Sequence, residues 1–130
     1  MARLPLVGAG GEPVDFARTI VSHGVAELPP NRVALEERVL ETTLPILGGA
    51  RTVRVSQTAA NLEIEAVAGR VSASAQQQLA ATVAHMFRLD EDLSGFYEVA
   101  CADADFAWCA NGAGRMLRAP TVFEDVVKTT

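Results

Sequence analysis

The chain has 130 residues, 49% of them hydrophobic, enough for one domain with a closed core. Eleven cations against sixteen carboxylates leave a net charge of −5. That balance argues against a free-standing nucleic-acid binder, because phosphate attraction is built from Lys and Arg. Its two cysteines, Cys101 and Cys109, lack metal-type spacing and read as small thiols in a reducing compartment. No apolar run approaches the roughly 18 residues of a membrane span, and "MARLPLVGAGG" lacks the make-up of a secretory leader. The expectation is a soluble, cytoplasmic chain with no membrane partner.

In chain order, "ARLPLV" is a possible first strand, followed by a flexible turn, "GAGG". That glycine cluster lacks the third glycine and the following helix of a dinucleotide fingerprint. Asp15 is placed to cap a short helix over residues 16–23, with Phe16, Ala17, Ile20 and Val21 on one face and Gly24 closing it. "AELPPN" breaks regular structure, since each proline restricts itself and its predecessor. Three strand-like runs follow. Leu40, Thr42 and Leu44 share one side of the first, Val53 and Val55 one side of the second, and Leu62, Ile64 and Ala66 one side of the third. This period of two, with the short joints "LGGA" and "TAAN", predicts an antiparallel meander with one buried and one wet face.

After Gly69 the period lengthens to that of a helix. Ser74 and Gln77 fit a capping box ahead of a stripe of Leu79, Val83, Met86 and Phe87. Asp90, Glu91 and Asp92 are expected to open a third helix, where carboxylates complement the dipole, with Leu93, Phe96, Tyr97, Ala100 and Cys101 as its stripe. A short helix over residues 103–110 then ends at Asn111-Gly112. Pro120, Thr121 and Glu124 announce a last helix, and Val122, Phe123, Val126 and Val127 give it an apolar face. That face is expected to lie partly against Phe96, Tyr97 and Cys101, with a loose end that favours self-association. The organisation is an α+β unit over residues 1–88, then helices over 89–130.

Candidate chemistry is sparse. His85 falls beside apolar helix positions, and His23 sits at a helix end where it reads as a cap. The triplet Asp90-Glu91-Asp92 lacks the alternating ligands of a calcium loop. No Ser, Cys or Thr has a base-and-orienter pattern, and Lys128, the only lysine, shows no apolar burial that would lower its pKa. "NGAGR" has the glycines of a phosphate-clasping hairpin, but Pro120 follows too soon for a second helix. No catalytic residue, metal site or cofactor is expected.

The last 45 or so residues nevertheless resemble a family. Leu89, Asp90, Leu93 and Tyr97, then Gly114, Arg115, Leu117, Arg118, Pro120, Phe123 and Glu124, are similar to a pattern in the helix-hairpin-helix DNA glycosylases of the 3-methyladenine and 8-oxoguanine branch. The resemblance implies a fold: a small antiparallel sheet with flanking helices, likened to half of a TATA-binding protein, then the first helices of an all-α domain. It implies hydrolysis of the N-glycosidic bond of a flipped, damaged base, with the hairpin and essential aspartate beyond Thr130. It also implies that Gly24 is the counterpart of a glycine whose carbonyl contacts that base; the aromatic residues usual after it are absent from "GVAELPPN". On the residues alone, Gly24 is a helix C-cap.

Three functions follow as expectations. The first is the amino-terminal fragment of a base-excision glycosylase, inactive alone, meeting damaged duplex DNA only through its full-length parent and binding little DNA by itself. The second is a stand-alone binding or scaffold module of the same fold. The third is an unrelated small enzyme using its sheet face as a pocket.

Overall fold

The computed structural model describes residues 1–130 apart from His23 and Val25, so the cap expected of His23 lies outside the described residues. Its centre is a five-stranded antiparallel sheet: β1 (Ala2–Pro5), β2 (Arg32–Ala34), β3 (Val39–Ile46), β4 (Gly49–Thr58) and β5 (Asn61–Ala66). The strand order is β1-β5-β4-β3-β2. The fold is α+β, a small sheet with flanking helices, as the sequence predicts. The meander forms with two-residue turns, because Ile46 pairs Gly49 and Thr58 pairs Asn61. Gly48 supplies the positive φ that the first turn needs, at 85°. Strand β2 was hidden in the sequence behind Pro29 and Pro30, being three residues long. It is held through Asn31, whose Oδ1 accepts a buried 2.7 Å hydrogen bond from Thr42 Oγ1.

Alternation decides the buried face. Leu40, Thr42 and Leu44, Val53 and Val55, and Leu62 and Ile64 are all buried. Two helices cover them, α1 (Phe16–Val21) and α2 (Ala73–Met86). Phe16 and Phe87 stack with ring centroids 5.6 Å apart, joining the start of the first helix to the end of the second. Each such large apolar side chain, fully buried, contributes about 1.5–3 kcal/mol. The opposite face is solvated: Arg3 pairs with Glu63 at 2.7 Å, Arg54 with Glu41 at 3.5 Å, and Thr43 with Thr52 at 2.9 Å. Those cross-strand pairs give this face a polar surface.

The helix ends depart from expectation in instructive ways. Asp15 caps α1, accepting from Arg18 N at 3.0 Å, but Thr19 replaces Val21 on the buried face and returns its hydroxyl proton to Asp15 O. Ser72, not Ser74, caps α2, accepting from Ala75 N at 3.1 Å. Helix α2 closes with Arg88 N donating to His85 O and Leu89 N to Ala84 O, the paired bonds of a Schellman end. The left-handed position is filled by Arg88, φ 52°, where glycine is usual. The third helix, α3 (Ser94–Cys101), starts later than expected. Of the acidic triplet only Asp92 serves its first turn, accepting from Ser94 N at 2.9 Å; Asp90 and Glu91 face Arg118.

A 3-10 helix, Ala107–Asn111, replaces the expected helix over 103–110, and Gly112 ends it at φ 102°. Ala100, Cys109 and Ala113 form a second, small apolar cluster there. The last helix, α4 (Val122–Thr129), is capped by Thr121 Oγ1, which accepts from Glu124 N at 3.2 Å. The rest of the expected capping box is rearranged: Asp125 Oδ1 accepts from Ala119 N at 3.2 Å, while Glu124 pairs with Lys128 at 2.9 Å. The expected docking of α4 on α3 does not occur. Phe123 and Val127 instead overhang a groove shared with Pro29, Pro30, Thr43, Leu44 and Pro45, lined by none of Phe96, Tyr97 or Cys101. The Lys128 side chain is largely shielded there, contrary to the sequence reading. Phe123 itself remains 78% exposed.

Candidate functional site at the Glu12–Arg115 junction

The glycine-rich segment read as a flexible turn is a tight cradle. Its focus is Glu12, a buried carboxylate that the sequence offered no reason to single out. Glu12 Oε1 accepts from Gly10 N at 3.2 Å and lies 3.3 Å from Arg115 Nη2, while Oε2 accepts from Leu93 N at 3.1 Å. One side chain therefore ties the first loop to the start of α3 and to the "GRMLR" segment. The glycines make room: a methyl group on Gly8 would overlap Glu12 Oε1 and stand 2.5 Å from Arg115 Nη2, and one on Gly10 would overlap Asp92.

Arg115 is fully buried. Its Nη1 donates to Arg88 O, and among the described residues its Nε has no partner. Arg88 reciprocates around the same segment, donating from Nε to Met116 O at 2.6 Å and from Nη1 to Glu91 Oε1 at 3.1 Å. The uncommon left-handed backbone at Arg88 thus presents both its carbonyl and its side chain to the junction. Leu117 N donates to Ser22 Oγ at 2.8 Å, and Arg118 N to Met86 O at 2.8 Å. The Arg118 guanidinium reaches Glu91, Asp90 and His85 Nδ1 together. His85 is thereby an exposed surface partner of an arginine.

Tyr97 completes the arrangement. Its hydroxyl donates to Ala113 O at 2.8 Å, and burial raises its pKa above the ordinary value, an effect Arg115 opposes. The two glycines of "NGAGR" serve packing. A Cβ on Gly112 would lie 2.5 Å from Asp15 N, and one on Gly114 would lie 2.8 Å from the Phe96 ring.

Chemically, the polar groups of the junction are engaged with one another. Both Glu12 oxygens are occupied, the Tyr97 proton is engaged, and of the two free thiols Cys109 is buried and Cys101 exposed. Among the described residues no group of three or more His, Cys, Asp or Glu could hold a metal ion. Among them, too, no helix is long and apolar enough to cross a membrane. Gly24 stands at the edge of this region, exposed, with φ 75° and its N–H donating to Val21 O at 3.2 Å. It lies two residues after Ser22, the residue that receives Leu117.

No protein-family profile matches the chain, and no curated protein is significantly similar to it. Among solved structures, a 3-methyladenine DNA-glycosylase from Archaeoglobus fulgidus has the same fold, with TM-score 0.69 and 17% identity over 97% of this chain. The chain spans 42% of that structure's length.

Proposed function

We propose that this chain is the amino-terminal part of a base-excision DNA glycosylase that removes alkylated or oxidised bases. The observation that carries the reading is the fold likeness to a 3-methyladenine DNA-glycosylase across 97% of the chain. It is supported by where the resembling residues fall: Arg115, Leu117 and Arg118 fasten the late segment to residues 1–88 through Glu12, Ser22 and Met86, and Tyr97 ties α3 to Ala113. In this reading residues 1–88 form the amino-terminal domain and 89–130 begin the helical glycosylase domain. The hydrolytic aspartate and the hairpin belong to chain beyond Thr130, in keeping with the 42% of the neighbour that is spanned.

The role assigned to these residues is positioning. Flipping a damaged base costs a few kcal/mol, and the enzyme recovers that cost in a shaped pocket. Gly24, exposed beside the Ser22–Leu117 tie, offers its carbonyl to one edge of that pocket. With a net charge of −5 the part alone binds duplex DNA weakly at physiological salt. It acts in the cytoplasm, and the exposed face of α4 makes it prone to self-association. The test is the reading frame after Thr130. A continuation carrying a glycine hairpin and an aspartate, in a product that creates abasic sites in alkylated DNA, supports the proposal. A continuation whose product leaves such DNA intact refutes it.

A further inference from the structure

We infer that the cavity between the β3–β4 turn and the start of α2 binds a phosphate group. The cavity has a volume of about 420 Å³, and Arg51 and Arg70 both line it. Their guanidinium-bearing segments are drawn together by the turn at Gly69, φ 76°, where an added Cβ would lie 3.9 Å from Arg51 Nη1. Among the described residues neither arginine is within ion-pair distance of a carboxylate, whereas Arg3, Arg18, Arg54, Arg88, Arg115 and Arg118 all are. No Asp or Glu lines the cavity, in a chain with sixteen of them.

The remaining polar lining is disposed to donate. Gln78 Oε1 is already occupied, accepting from Leu47 N at 2.7 Å, so its amide NH₂ is the group left for a ligand. Ser72 and Ser74 line the same space, and Ser72 Oγ, which accepts from Ala75 N at 3.1 Å, keeps its proton to donate. Two planar guanidiniums, an amide donor and two hydroxyls suit the tetrahedral oxygens of a phosphate, and guanidinium forks pair with such oxygens bidentately. A recess walled by one sign of charge also concentrates its counter-ion. The inference stands apart from the glycosylase reading, since it rests on this cavity alone. A phosphate presented by duplex DNA and a free or small-molecule phosphate share the chemistry.

The experiment is a titration of the isotopically labelled chain, followed by amide NMR, with inorganic phosphate at constant ionic strength and separately with an undamaged duplex. Saturable shifts at Arg70, Ser72 and Ser74 are expected with at least one of the two, and which one identifies the source. The double variant Arg51→Gln/Arg70→Gln should weaken that response by about tenfold or more, as loss of charge-assisted pairs implies. Arg32→Gln/Arg38→Gln removes equal charge from other exposed positions and should leave it unchanged. Unaltered thermal midpoints in both variants establish that the fold is intact. Absence of saturable shifts with both probes, or equal weakening in both variants, would overturn the inference.

Discussion

Arg115 and Glu12 are separated by 103 residues of sequence and joined by a buried 3.3 Å ion pair that locks the chain's late helices onto its first loop. Removing one member of such a pair strands the other charge in the interior. Arg115→Met is therefore expected to lower stability by about 3–5 kcal/mol, and Glu12→Leu with Arg115→Met by much less than the two single losses added. Urea unfolding of the three variants measures this. Additive losses would show that the two residues act independently.

The cradle glycines make a sharper contrast. Gly8→Ala and Gly10→Ala place a methyl group on the Glu12 and Asp92 carboxylates, whereas at Gly11, φ 82°, no atom lies within 4 Å of the added Cβ. Gly11→Ala should cost about 1 kcal/mol of backbone strain, and the other two more than that. Thermal unfolding ranks them. A Gly8→Ala protein as stable as the parent would remove the argument for a tight cradle.

Tyr97 predicts an alkaline limb. Burial raises its pKa above the ordinary value near 10, so the folded state holds the phenolic proton more tightly than the unfolded chain. Its contribution is present in full below about pH 10 and is lost as pH rises through that value toward the folded pKa. Tyr97→Phe loses about 1 kcal/mol of hydrogen bonding at neutral pH and should flatten the fall in thermal midpoint as pH rises above about 10. A parent and a variant that fall in parallel would contradict this. Tyr97 is the only tyrosine, which keeps the comparison clean.

The sheet was legible because alternation is local: Leu40, Thr42, Leu44, Val53, Val55, Leu62 and Ile64 carry their own burial signal, and all are buried. The junction was not, because its ties are long-range and polar. Nothing near Glu12 in sequence announces Arg115, and "GAGG" looks flexible until Glu12 fills the space between its glycines. The acidic triplet misled for a similar reason. Carboxylates ahead of a helix suggest dipole pairing, yet Arg118, far along the chain, competes for two of the three. The rearranged box at Thr121 reflects another such competition, with Lys128 drawing Glu124 away. Gly24 is singled out by the family resemblance alone, since an exposed glycine after a helix carries only the signal of a C-cap.

The α4 face yields a test of association. Phe123 is 78% and Val122 79% exposed, and neighbouring Val126 and Val127 extend the same apolar surface. Phe123→Asp should reduce dimers and larger species in analytical ultracentrifugation and leave the thermal midpoint nearly unchanged. Unchanged association would show that this face is not adhesive. A large drop in midpoint would make the helix part of the core.

The most direct measurement is base release from duplex DNA carrying 3-methyladenine or 8-oxoguanine, run with the 130-residue chain and with the full product of its reading frame. The account predicts release at the no-protein level from the chain alone, and release well above it from the full product. Excision by the 130-residue chain itself, or no excision by the full product on either lesion, would contradict it.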